Sequence, residues 1–500
     1  MKSLTALICF LLLSSATEIV PDASRQVNYF DASIGNRTAA EWEPALGTLV
    51  VWPLSIPHTL AIELAKDNHL YTMLEDEQAK AEASDWFDKW GIDSTHVTFI
   101  YAAQGIDAWW TRDWGPSAVF TPDGQFSLAD GKYLYATPST DLACNDSLRF
   151  QSFDGVDTKE LTQIDDDATI PLANQLGYAL MDLPFNNTGG NVLTDGLGTA
   201  FSSCVIKSEN RYHGVDFGAF LKLNESLLGF NHYNIISNFE PMGIQHVDCF
   251  MKVIDEETLL VAQPPKDHEL YDVYEDIVKD ELMKLSTHYG RPYTIKRIQT
   301  GRYEKESLAA YTNSLILNKT VYVPLFNINE DSTALKTWEE VMPGYKVKGF
   351  TYFLDDEPIV EDDVRTHYKA YGWNDGDALH CRTRAIWNPE MLFISVKKIA
   401  AEVDLGQKTT VYATIIDYSG KELQVDKLNV KWRIRGMRNW NTEVLKAGES
   451  PDGYFATVPS QRSEATIEYY IEAASESGAI AQRPMTAPKG FFTFNYVAKD

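Results

Sequence analysis

A chain of 500 residues, 44% of them hydrophobic, can bury more than one core, which excludes general disorder and predicts two folded domains. The formal charge of −27, from 71 acidic against 44 basic residues, argues against a nucleic-acid partner, because phosphate binding needs clustered Lys and Arg and no such cluster is present. The same charge suits a cationic partner.

The chain opens with Lys2, an apolar run from Leu4 to Leu13 and then Ser14-Ser15-Ala16, the three parts of a secretory signal peptide. Residues 1–16 are therefore expected to be removed, and the mature protein to be secreted into the periplasm, onto the cell surface or outside the cell. The apolar run is too short to cross a hydrocarbon layer of ~30 Å, and no later segment reaches the roughly twenty apolar residues required, so no membrane span is expected. With Cys9 removed, Cys144, Cys204, Cys249 and Cys381 remain in an oxidising compartment. A Cys144–Cys204 bridge is open, and no pair has the C-x-x-C spacing of a metal site.

Residues 40–390 repeat one order: two short strands with a turn, a helix, then another strand. The first units start near Asp113 and Asn191. A third starts with the strand after His246, turns at Asp255-Glu256-Glu257, returns through 258–261 and continues as a helix from near Lys266 to Gly290. That helix carries Leu270, Tyr274, Ile277, Leu282 and Leu285 as an apolar stripe, and a strand at 293–298 follows. In the fourth, 314–317 and 321–325 pair across Asn318-Lys319, with a helix at 332–341 and a strand at 345–352. The fifth opens at 379–386 and is completed from the N-terminal side by a strand at 47–52, a helix within 59–90 and a strand at 97–101. Five such units predict a pseudo-fivefold α/β propeller whose first strands line the axis. Residues 391–497 change texture: β-rich runs at 408–416, 428–435 and 465–473, separated by turn signals, predict an immunoglobulin-like β-sandwich without its usual disulfide.

The reactive side chains fall at the heads of these units: Asp113, Asn191, His246 with Asp248, Asn313 and Cys381. Strand starts around one axis bring them to one end of it. Cys381 lies in Asp377-Ala378-Leu379-His380-Cys381-Arg382-Thr383-Arg384, where nearby cations favour a thiolate, although strand alternation turns His380 and Arg382 to the other face. His246 and Asp248, two apart on a strand, share a face, so that one can move protons while the other binds a cation. Asp113 lies among Trp109, Trp110 and Trp114, and Gly115-Pro116 marks a sharp turn. Tryptophan faces and paired carboxylates together suit a flat guanidinium. Read singly, Cys381 also fits a buried structural cysteine, His246 and Asp248 a polar pair, and Asp113 an ion pair with Arg112.

Five segments carry a resemblance: 110–116 (Trp110 to Pro116), Thr188-Gly189-Gly190-Asn191, Gln245-His246-Val247-Asp248-Cys249, Tyr311-Thr312-Asn313-Ser314 and Leu379-His380-Cys381-Arg382-Thr383. Over roughly residues 45–390 the sequence resembles the Porphyromonas-type peptidylarginine deiminases, relatives of agmatine deiminases in the guanidine-modifying superfamily. The resemblance implies a five-bladed fold, with Cys381 as nucleophile, His246 as general acid and base, and Asp113 and Asp248 as guanidinium binders. Trp110, Asn313 and Asn191 fall at substrate-binding positions. It also implies hydrolysis of arginine-containing peptides or proteins to citrulline through a covalent thiouronium, with no metal or organic cofactor. The peptidyl enzyme holds a C-terminal carboxylate with an arginine pair; here the stretch 131–137 contains no arginine, and Gly243 stands where family members place a tyrosine. The rival expectations are a deiminase of agmatine or free arginine, a Cys-His protease, and a binding protein on an inactive scaffold.

Overall fold

Two apolar runs flank an acidic turn at Glu256-Glu257, and they fold back on each other: Met251–Asp255 pairs antiparallel with Thr258–Gln263. Thr294–Gln299 then joins the second strand in parallel, which requires a crossover. The helix Tyr271–Asp280 supplies it and buries Tyr274, Ile277 and Val278. This antiparallel-then-parallel order recurs in five sheets of the computed structural model, which describes residues 29–102, 109–134, 152–153, 156–157, 164–241, 244–303, 306–352, 373 and 377–498.

Leu193–Thr194, Thr199–Ser203 and His232–Ile236 form a second such sheet, and Leu315–Leu317, Thr320–Leu325 and Lys346–Thr351 a third. Ser117–Phe120, Phe126–Lys132 and Ala179–Asn186 form a fourth, with Arg37–Thr38 added at its edge. In the fifth, Arg384–Trp387 pairs antiparallel with Ala45–Val51, so the two ends of this α/β region share a sheet. The whole region is mixed α/β.

The structure corrects two of the expected elements. The region 59–90 holds two helices, His58–Asp67 and Glu77–Lys89, separated by an additional strand, His69–Leu74. Every residue from Leu70 to Leu74 is buried, a run that belongs inside a sheet and carries no helical stripe. The helix expected to run to Gly290 stops at Asp280, followed by a 3₁₀ turn at Leu282–Lys284 that buries Leu282. Gly290, at φ 72°, serves the tight turn in which Gly290 N donates to Thr287 O, rather than a helix end.

The β-rich tail forms two sheets. One joins Leu392–Lys397, Thr409–Asp417, Gly453–Val458 and Lys446–Ala447; the other is built around Asn429–Ile434, Ala465–Ala474 and Phe492–Val497. Val411, Ile415, Val430, Ile467, Tyr469 and Phe494 fill a core common to both. Among the described residues no helix is long and apolar enough to cross a membrane. The leader expected at residues 1–16 and Cys144 lie outside the described residues; Cys204 is disulfide-bonded.

One buried ion pair ties the N-terminal strand to the tail. The Arg37 guanidinium donates to both Glu43 oxygens at 2.7 and 2.9 Å and to Tyr418 Oη at 3.0 Å, and it lies 4.1 Å over the Phe393 ring. Removing the cation strands a buried carboxylate, so Arg37→Met is expected to destabilise the protein by about 3–5 kcal/mol in denaturant melts. Arg37→Met with Glu43→Gln is expected to recover part of that loss, and a double variant no more stable than the single one would contradict this account.

Candidate active site

The six head residues sit in turns just before the strands rather than on them. Asp113 lies in the single helical turn Thr111–Trp114, which Gly115-Pro116 ends because a residue preceding proline disfavours the α conformation. Asn191 closes the 3₁₀ turn Gly189–Asn191, and His246 precedes the 3₁₀ turn Val247–Cys249 that contains Asp248. Asn313 and Cys381 occupy the turns before Leu315–Leu317 and Arg384–Trp387. His246 and Asp248 therefore do not meet by strand alternation, and neither do His380 and Arg382 turn away by it.

These turns are hydrogen-bonded to one another in a closed circuit. Gly190 N donates to Asp113 Oδ1 at 3.2 Å, and Val247 N donates to Asn191 Oδ1 at 3.1 Å. Thr312 Oγ1 donates to Cys249 O at 2.7 Å, and His380 N donates to Asn313 Oδ1 at 3.0 Å. Arg112 N donates to Cys381 O at 3.0 Å and closes the circuit. Trp110 caps the Asp113 turn, its carbonyl accepting from Asp113 N at 2.9 Å and its ring 5.2 Å from that of Trp109.

The circuit brings three groups to one point. A Cβ at Gly190 would lie 2.5 Å from Asp113 Oδ1, 3.0 Å from His246 Nδ1 and 3.3 Å from Asp248 Oδ2, so only glycine fits there. His246 Nδ1 is 3.5 Å from Asp113 Oδ1. On the other flank, Asn313 Nδ2 donates to Cys381 Sγ at 3.2 Å, and one donor atom each of Asp248, Cys249 and Cys381 lie within 4.8 Å of one another. That trio is compact enough to share a soft metal ion, a proximity that spacing along the chain did not reveal.

Behind Asp248 runs a buried charge relay. His380 Nδ1 is 2.6 Å from Asp248 Oδ2, His380 Nε2 is 2.5 Å from Glu41 Oε2, and Lys252 Nζ donates to that same Glu41 oxygen at 3.0 Å. Both imidazole nitrogens thus face carboxylate oxygens, while burial, with Arg112 and Lys252 nearby, lowers the His380 pKa against the pull of Glu41 and Asp248. Arg382, instead of facing the sulfur, forks onto Asp377 at 2.6 and 2.9 Å. Asp113 is thus not absorbed by Arg112, whose Nη1 lies 3.8 Å from Glu41 Oε2.

The electrostatics follow from burial. Desolvation alone would lower the pKa of His246, but Asp113, Glu209 and Asp248 outweigh it and raise it to about 9. Burial raises Glu209, on the neighbouring helix Val205–Tyr212, to about 7 against the attraction of His246. Burial would also raise Asp248, but the hydrogen bond and charge of His380 hold it below the usual carboxylate range. A hydrogen bond from Cys249 lowers the Cys381 pKa, but burial and the nearby carboxylates of Asp248 and Asp113 push it up overall. Glu41, Glu209, Cys249 and His380 were not foreseen as parts of the site; only Cys249, beside Asp248, and His380, beside Cys381, had any local signal, each lying in a segment that carries the resemblance.

A thiol, an imidazole and converging carboxylates in the turns of a mixed α/β scaffold define a hydrolase site suited to a planar cation, the pattern of guanidino-group deiminases. The model of the Porphyromonas-type peptidyl-arginine deiminase family matches residues 37–353, and the chain belongs to that family. Its members are hydrolases acting on C–N bonds of guanidino groups. The match ends before Cys381, which the fold nevertheless brings to Asn313 and Asp248. The agmatine deiminase of Enterococcus faecalis is similar in fold, at 17% identity and a TM-score of 0.51, over 73% of this chain and 100% of that one. A C. jejuni agmatine deiminase gives 14% identity and a TM-score of 0.50 over 71% of this chain and 97% of that one.

Gly190→Ala is expected to displace the groups around it by a sizeable fraction of an ångström and to cut ammonia release by about 100-fold, with the circular dichroism spectrum unchanged. Full activity in that variant would contradict the crowding at Gly190. His246 also links stability to pH. Its folded pKa, about 9, lies above the unfolded value of about 6.5, so its contribution is complete below pH ~6.5 and lost as pH rises through ~9. Thermal melts across that window are expected to fall more steeply for the unmodified protein than for His246→Asn.

Proposed function

We propose that the chain is a secreted peptidyl-arginine deiminase, hydrolysing the guanidinium of arginine in peptides or proteins to the ureido group of citrulline with release of ammonia. The observation that carries this reading is the meeting of Asp113, His246 and Asp248 around Gly190, with the Cys381 sulfur within 4.8 Å of an Asp248 oxygen.

In this reading Asp113 and Asp248 hold the guanidinium flat by forked hydrogen bonds. Burial keeps the Cys381 proton on, aided by the carboxylates of Asp248 and Asp113; a cation between them cancels that second contribution, so the substrate itself shifts the balance toward the thiolate. Cys381 then attacks the central carbon, the C–N bond breaks, and His246 gives its proton to the departing nitrogen, leaving a covalent thiouronium. Water deprotonated by His246 attacks the same carbon, the C–S bond breaks, and citrulline leaves with Cys381 restored. A His246 that stays protonated to about pH 9 suits the first half of this cycle. Asn313, donating to the sulfur, keeps it oriented, and Trp110 is assigned to the wall of the substrate site.

The reading takes residues 40–390 as the catalytic domain, its five sheets as the blades of a pseudo-fivefold propeller, and residues 391–497 as an immunoglobulin-like sandwich, with secretion following removal of residues 1–16. A second reading, a deiminase of agmatine or free arginine, is favoured by the lack of arginine in 131–137 and by the names of the two similar structures.

Purified mature protein offered an internal-arginine peptide, a C-terminal-arginine peptide and agmatine, with citrulline, carbamoylputrescine and ammonia measured, separates the two. The first peptide is expected to turn over fastest, and turnover of agmatine alone would replace the first reading by the second. Cys381→Ala is expected to abolish product while retaining substrate binding; an active Cys381→Ala protein, or peptide cleavage without citrulline, would sink the mechanism.

A further inference from the structure

Beside Arg112 lies a small cavity of about 30 Å³, lined in part by Glu41, Arg112, Ser117, Lys252 and Arg384. One water needs only about 10–15 Å³ of such space, so the cavity has room for a monatomic ion with a water and none for an organic ligand. We propose that it is a binding site for a small monovalent anion of the chloride class.

The charge balance around it is lopsided. Arg112, Lys252 and Arg384 are 2%, 1% and 3% exposed, and Glu41 is the one carboxylate among the lining residues. Its oxygens are already shared: Oε1 accepts from Ile316 N at 2.9 Å and lies 2.9 Å from Lys252 Nζ, while Oε2 faces His380 and Lys252. Among the described residues Arg384 donates to neutral acceptors, Pro116 O at 2.8 Å and Ser117 Oγ at 3.0 Å. Arg112 Nε donates to His380 O at 3.3 Å, and its Nη2 has no hydrogen-bond partner among the described residues.

Burying a guanidinium with no carboxylate hydrogen-bonded to it is costly, and burial together with Arg112 pushes the Arg384 pKa well down against the more distant attraction of Glu41 and Asp113. A halide lying among the three cations offsets their repulsion and gives Arg112 an acceptor. Arg112 also belongs to the turn that carries Asp113 and donates its backbone N–H to Cys381 O, so the ion would stabilise the active-site circuit from behind without touching substrate.

The test uses the full mature chain, freed of halide by dialysis into gluconate, an anion too large for the cavity. At constant ionic strength, the thermal midpoint is expected to climb with chloride or bromide, steadily with the logarithm of concentration once the dissociation constant is passed, and to ignore gluconate. Crystals grown in bromide are expected to give an anomalous peak among Arg112, Lys252 and Arg384. Ser117→Asp, which supplies a carboxylate facing Arg384, is expected to raise the halide-free midpoint and abolish the halide response. A midpoint indifferent to halide, with no anomalous peak or water alone in the cavity, would overturn the proposal, whether or not Ser117→Asp folds. None of these readouts depends on which guanidino substrate is taken.

Discussion

Everything at the candidate site hangs on the circuit of hydrogen bonds that links Asp113, Asn191, the His246–Cys249 turn, Asn313 and Cys381. Each link joins two turns far apart in sequence, and most use a backbone N–H or C=O whose position the adjoining strand fixes. A buried backbone group needs a partner, so the turns satisfy one another and become rigid together. The consequence is a set of reactive groups held without any loop of their own. Asn191 illustrates the economy of this arrangement: one side-chain oxygen accepts from Val247 N and Ser203 N and so sets the His246 turn relative to its own sheet.

Rigidity alone does not make burying these charges tolerable. Asp248 is fully buried beside two thiols, and it stays charged because His380 stands against it, with Glu41 and Lys252 behind. Each member of the relay is the neighbour that offsets the desolvation of the next. The relay reaches Arg112 and the cationic cavity, so the Asp113 and Asp248 carboxylates and the cavity are two ends of one buried electrostatic system.

The sequence made the order of elements legible because the strands are short, apolar and punctuated by Gly, Asn and acidic turns. It also made the head residues legible, since each precedes a strand that periodicity identifies. What it did not disclose was local geometry. A 3₁₀ turn and a strand start can carry the same residues, and His246-Val247-Asp248 fits either until Gln245, at φ 60°, and the contacts of Val247 are seen. Glu41 and Glu209 are single acidic residues in a chain with 71 of them, and nothing local separates a buried carboxylate from a solvated one. Cys249 and His380 are next to recognised residues, yet their partners, Cys381 and Glu41, lie 132 and 339 residues away.

In the proposed reading, two carboxylates and a thiol recognise a guanidinium and are silent about what it is attached to, so preference must come from elsewhere. In the stretch where the family's peptidyl enzyme carries its arginine pair, this chain has different work for the backbone. A Cβ on Gly131 would approach Asn187 Cβ to 2.4 Å, because this strand packs directly on the segment leading to Thr188, Gly189 and Gly190. Lys132, the cation nearest that position, lies beside Asp182 at 3.3 Å and Asp166 at 3.9 Å, and Tyr133 and Leu134 are buried. Among the described residues the local cation is therefore spent on aspartates, and a carboxylate arriving there meets more negative than positive charge. In the proposed reading, that is the electrostatic ground for ranking a free C-terminal arginine below an arginine within a chain or a small cation without a carboxylate.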